Sequence, residues 1–165
     1  MQESAELNEE TEGKIVELKT LVNGFHKKGR SIQIIIVEDD DLHAELIKLS
    51  LEKIHLINIM MFYNGESFLQ YMVEKRVPDQ EYVVFLDYHL PGLSGKEVLS
   101  KLKSNPELSK IPVIVVTGFD TPEVVDDFYR LGSSFVIGKP YNKGEFFEVI
   151  YEVGKLIPKF QLPKI

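Results

Sequence analysis

The sequence predicts a doubly wound α/β domain: a five-stranded parallel sheet covered by helices on both faces, with one extra amino-terminal helix. Three observations carry this. Five short apolar runs, rich in β-branched residues, punctuate the chain between Ile32 and Ile137, and their length suits buried strands rather than helices. Each run is followed by a segment whose apolar residues recur at spacings of three and four, the signature of an amphipathic helix. Four of the runs end on chemically capable residues: Glu38-Asp39, Asp87, Thr117 and Lys139. Strands alternating with helices build a parallel sheet with both faces covered. An open sheet of that kind gathers its strand carboxyl ends on one edge, where ligands bind.

The elements follow in order. Residues 1–12 carry five Glu and no basic residue, a composition that predicts a mobile or loosely held tail. Ile15, Leu18, Val22 and Phe25 then form one apolar stripe of a helix over 14–26. Lys27, Lys28 and Arg30 place positive charge at its carboxyl end, and Gly29 breaks it. Ile32–Val37 is the first strand. Leu42, Leu46 and Leu49, with Ile47, Leu51 and Ile54, keep helical spacing after it. Ile57–Phe62 is the second strand, closed by Asn64-Gly65, and Phe68, Tyr71 and Met72 mark the next helix. Tyr82–Leu86 is the third strand. Val98, Leu99 and Leu102 give a helix that stops before Asn105-Pro106. Val113–Val116 is the fourth strand. Thr121-Pro122 predicts a helix start, with a hydroxyl cap and proline in the first turn. Val125, Phe128 and Leu131 continue that helix to Gly132. Phe135–Ile137 is the fifth strand, and Phe146, Phe147, Ile150 and Val153 mark a last helix.

Composition narrows the function. The 165 residues hold one ordinary domain with some excess, and 44% hydrophobic residues suffice for a core. A net charge of −7 argues against nucleic acid or an anionic membrane as a partner. The chain has no cysteine, which excludes disulfides and thiolate metal sites. No apolar run approaches the roughly 18 residues of a membrane span, and no secretory signal is visible. A soluble cytoplasmic protein is the expectation.

The strand ends supply the chemistry. Asp87 directly follows a buried strand, and a carboxylate so placed can act as a nucleophile towards phosphorus, giving an acyl phosphate. That attack brings two negative groups together and needs positive charge nearby. Glu38 and Asp39 can hold Mg²⁺, which prefers oxygen ligands and takes one or two carboxylates plus phosphate. The backbone carbonyl of His89 offers a further oxygen. Lys139 suits one phosphoryl oxygen as a mobile point charge, and the Thr117 hydroxyl can donate to another. Taken singly each residue has an ordinary explanation. Asp40 or Asp41 caps the helix near Leu42, Asp87 could belong to the turn before Pro91-Gly92, and Lys139 could be solvated. Their occurrence in order on successive strand ends is what favours a site.

The same segments carry a family resemblance. Residues 31–157 resemble the receiver domain of two-component response regulators through IIIVEDD, VVFLDYHLPGLSG, IPVIVVTG and FVIGKP. The resemblance implies a flavodoxin-like sheet of order 2-1-3-4-5, the order given for a member of this family in general descriptions of doubly wound folds. It implies Asp87 as phosphoacceptor, Asp39 as direct Mg²⁺ ligand and Glu38 as a ligand through water. Thr117 and Lys139 would contact the phosphoryl group, and the Lys139-Pro140 bond would be cis. A histidine kinase or phosphotransfer protein would be the donor and a downstream protein the target. NGESFLQYM and LPGLSGKEVLSKLKSNPELSKIPVIVVTG look like the stand-alone regulators paired with phytochrome-type or hybrid kinases. On this division 1–30 is an acidic tail and amphipathic helix, and 158–165 a short tail with no room for an output domain. The amino-terminal helix is expected to dock on its own domain, with a dimerising or partner-binding role as the alternative.

One position departs from the family. Three residues before the lysine, where receivers carry Tyr or Phe, this chain has Val136. Phe135 should point to the opposite face and be an ordinary core aromatic. His89 and Phe119 occupy positions that tune acyl-phosphate lifetime in the family. An aspartate-nucleophile phosphatase is the competing enzymatic reading. Such an enzyme typically wants an acid two residues after its nucleophile, where this chain has His89, and a cap insertion, which this chain lacks. A receiver that has lost phosphorylation is the third reading, disfavoured because the full residue set is present.

Overall fold

The computed structural model describes residues 32–157. The expected acidic tail, amino-terminal helix and short carboxyl-terminal tail lie outside the described residues. Five strands and five helices alternate: β1 (Ile32–Val37), α1 (Asp41–Glu52), β2 (Ile59–Phe62), α2 (Gly65–Glu74), β3 (Glu81–Asp87), α3 (Gly95–Ser104), β4 (Val113–Thr117), α4 (Pro122–Arg130), β5 (Phe135–Gly138) and α5 (Lys143–Leu156). All strand pairings are parallel, and the order is β2-β1-β3-β4-β5. The register sets Val37 beside Leu86, Asp87 beside Val116, and Thr117 beside Gly138. Residues following those positions therefore emerge together at one edge.

Strand alternation divides the core into two layers. Ile32, Ile34 and Ile36 of β1 join Val83, Phe85, Ile114 and Phe135 beneath α1 and α5, where Ile47, Leu51, Phe146 and Ile150 cover them. Ile35 and Val37 join Leu86, Val115 and Val136 on the other face, beneath Phe68, Val98, Leu102 and Phe128 of α2, α3 and α4. Each such buried side chain contributes about 1.5–3 kcal/mol relative to an exposed one. Phe135 and Val136 fall in opposite layers, as strand periodicity requires. The ring is a core aromatic of the α1/α5 layer.

Helix starts are chemically marked. Asp40 caps α1 by accepting from the His43 N–H at 2.9 Å. Asn64 caps α2, and Ser94 with Glu97 forms a capping box on α3. Gly132, at φ 97°, follows the end of α4 in the left-handed region. Each helix runs back against the strands, so the chain enters at Ile32 and leaves after Ile157 at the amino-end pole of the sheet, opposite the strand carboxyl ends.

Four details differ from expectation. β2 begins at Ile59, and Ile57, 75% exposed, lies in the irregular segment between α1 and that strand. Ala44, Ile47 and Leu51 are the core face of α1, with Leu46 partly buried beside them. Leu42 and Leu49 stay exposed on its far side. Thr121 occupies the cap of α4 without a side-chain cap hydrogen bond, and Pro122, which lacks an N–H to satisfy, starts the helix. The Lys139-Pro140 bond is trans: no cis peptide occurs among the described residues. The trans form is the lower-energy isomer of an X–Pro bond, and Lys139 still reaches the strand ends from it.

Candidate functional site

β1 delivers Glu38 and Asp39, β3 delivers Asp87, and the turn after β5 delivers Lys139. Side-chain ligand atoms of Glu38, Asp39 and Asp87 lie within 4.8 Å of one another. Glu38 and Asp87 are buried, at 2% and 5% exposure, while Asp39 is exposed. Their backbone is fixed by the sheet. Glu38 N–H donates to Phe62 O at 3.0 Å, Tyr88 N–H to Val116 O at 3.2 Å, and Lys139 N–H to Thr117 O at 2.6 Å. Lys139 Nζ reaches across the edge to Glu38 Oε2 and Asp87 Oδ1, 2.7 Å from each. Glu38 Oε1 accepts from the Asp40 N–H at 3.1 Å, which ties the cluster to the start of α1.

Burial governs the electrostatics. It pushes the Glu38 carboxyl up to about 7, with the neighbouring Asp87 charge adding to the rise and Lys139 opposing it. Asp87 is also raised, by burial first, while Lys139 pulls it down and Asp39 pushes it up. For Lys139 burial works to lower the value, but the charges of Asp87 and Glu38 and their hydrogen bonds outweigh it and raise it. One ammonium thus faces two buried carboxylates. Three clustered carboxylates and one cation leave an excess of negative charge, which a divalent ion with oxygen preference would offset.

The remaining predicted residues sit around this centre. Thr117 is fully buried at the end of β4, and its hydroxyl donates to Phe119 O at 3.0 Å while accepting from the Phe119 N–H at 2.9 Å. The His89 imidazole is not in the cluster. It stands edge-on between Tyr88, at 4.5 Å between centroids, and Phe119, at 5.0 Å. Phe119 is 56% exposed and forms a rim over this side. The β3–α3 loop that carries His89 is tied down by the Glu66 carboxylate, which accepts from the Leu93 N–H at 2.9 Å. His43 was not anticipated. Its Nδ1 lies 3.4 Å from Lys139 Nζ. Its sequence signal is position: it lies in the first turn of a helix that begins at a strand's carboxyl end, and side chains there tilt back towards the sheet edge.

Carboxylates that follow β1 and end β3 thus face a lysine that follows β5, on the carboxyl edge of a doubly wound sheet, where such folds bind ligands. The profile of the response regulator receiver domain matches residues 34–151, and the chain belongs to that family. It is similar to the response regulator Rcp1 of Synechocystis, with 31% identity over 121 residues, 71% of this chain and 82% of Rcp1. The crystal structure of a receiver domain from Rhodospirillum rubrum superposes with a TM-score of 0.73 at 31% identity, covering 79% of this chain and 96% of that one. The structure of the phosphorylated cyanobacterial phytochrome response regulator RcpA gives 0.68 at 25% identity, covering 76% and 92%.

Proposed function

We propose that this protein is a phospho-switch whose phosphoacceptor is Asp87. The observation that carries the reading is the Lys139 ammonium 2.7 Å from both Asp87 and Glu38, beside Asp39, on the carboxyl edge of the sheet. The donor is a histidine kinase, of the phytochrome type by likeness to RcpA, or a phosphotransfer protein. An Asp87 oxygen attacks the phosphorus of the donor's phosphohistidine. The P–O bond forms as the P–N bond breaks, and the imidazole leaves with the electron pair and takes a proton. Glu38, Asp39, Asp87 and the His89 carbonyl would hold Mg²⁺, whose charge screens the approach of nucleophile and phosphate. Lys139 moves its donors from the carboxylates to a phosphoryl oxygen.

Thr117 completes the set by exchanging its bond to Phe119 O for the phosphoryl group, which alters the loop leading into α4. A partner protein reads that change, as a charge-driven two-state shift. The domain catalyses its own modification and acts on no other substrate, and its place is the cytoplasm. Incubation with Mg²⁺ and acetyl phosphate, followed by intact mass measurement, tests the reading. One labile phosphoryl adduct is expected on the wild type and none on Asp87→Asn. An equal adduct on the variant, or none on either, rejects it.

A further inference from the structure

We infer that His43 is a positioning residue that keeps the Lys139 ammonium aimed at the reacting group through the phosphorylation of Asp87. The inference rests on the phosphoacceptor reading above and adds to it a residue outside the strand-end motif. An ammonium has three donors. Two point at Glu38 Oε2 and Asp87 Oδ1, and Nζ also lies 3.4 Å from His43 Nδ1. Of these three partners, the first two are engaged by the reaction itself: Asp87 becomes the acyl phosphate and Glu38 turns to the cation. His43 is the partner that chemistry leaves in place. Lysine is a point charge on a flexible four-carbon stem, so a lateral partner limits how far it wanders when its carboxylates are taken.

The His43 side chain is 39% exposed and is held on its inner side. His43 lies in the first turn of α1, where its N–H donates to the capping Asp40 carboxylate at 2.9 Å. Its ring meets Phe146, in the first turn of α5, edge-on at 5.7 Å and 80°. Phe146 is itself buried at 2% exposure in the α1/α5 layer. Acceptance from an ammonium requires Nδ1 unprotonated and the ring proton on Nε2. Asp40 Oδ1, 3.7 Å from the same Nδ1, is the other charged group facing the ring.

The experiment uses the full chain as wild type, His43→Leu and His43→Gln. Leucine keeps apolar contact with Phe146 and loses the acceptor, whereas the glutamine amide oxygen restores one. The initial rate of adduct formation is followed by intact mass across a range of acetyl phosphate concentrations, and Mg²⁺ affinity is measured by calorimetry. The maximal rate of His43→Leu is expected to fall about ten-fold, within the range that small misplacements of a reacting group produce. His43→Gln is expected to recover most of that loss, with Mg²⁺ affinity undiminished in both. A His43→Leu rate equal to wild type overturns the inference. So does a His43→Gln rate as low as that of His43→Leu, or a loss of Mg²⁺ affinity in step with the rate. A wild type that takes no phosphoryl group on Asp87 fails at the earlier reading instead, and this inference falls with it.

Discussion

Glu38 sets the pH behaviour of the site. Its carboxyl titrates near 7 because burial and Asp87 outweigh the help of Lys139. Asp87 is raised as well. A folded state with raised carboxyl values holds protons that the unfolded chain releases near pH 4, so stability falls as pH rises through that window. Without divalent cation, the melting temperature should drop between pH 5 and pH 8, and Glu38→Gln should flatten the drop. Mg²⁺ should restore stability at pH 8, where Glu38 is ionised, and bind more weakly at pH 6. Thermal melts at both pH values, with and without Mg²⁺, check this. A melting temperature that rises with pH would contradict the burial argument. Glu38, Asp39, Asp87 and Lys139 were legible in the sequence because each directly follows a buried apolar run. His43 was not, because its contact joins the first turn of α1 to the turn after β5, 96 residues away, and local spacing cannot show that.

The helices are held at distances that their first residues dictate. Gly95 opens α3 against β3: a Cβ there would strike the Asp87 carbonyl oxygen and lie 2.8 Å from Tyr88 Cα. Those are backbone atoms at the carboxyl end of β3 and cannot swing aside. Gly95→Ala should therefore destabilise the fold by about 1–3 kcal/mol, as overpacking does, and lower the urea midpoint accordingly. Asp40→Ala removes the cap of α1 and should cost about 1 kcal/mol in the same measurement. The sequence marked two of these starts, through Asp40 or Asp41 and through Thr121-Pro122, while Asn64-Gly65 read only as the close of β2. It did not show that Thr121 caps without its hydroxyl or that β2 starts two residues late. Both depend on how the turn settles against neighbouring elements. The trans Lys139-Pro140 bond belongs here too, since X–Pro isomers differ by only about 0.5–1 kcal/mol and the surroundings decide between them.

At the scale of the molecule, one sheet separates two apolar layers that share no side chains, and each is needed for the edge to form. Phe128 is the buried anchor of α4, and its ring meets Tyr88 at 5.4 Å. Phe128→Ala should cost about 3–5 kcal/mol, read from chemical denaturation. It should also loosen Tyr88, the residue after Asp87, which near-ultraviolet dichroism would register. The layer plan was readable from strand alternation alone: Phe135 and Val136 fell on the predicted opposite faces. With Val136 fully packed at 2% exposure, a ring introduced there would overfill the layer instead of swinging in an open slot.

Ile32 and Ile157 leave the fold at the pole furthest from Glu38, Asp87 and Lys139. A pair of probes, one beside Ile32 or Ile157 and one beside Asp39, would therefore span the full length of the strands and report any change in their spacing.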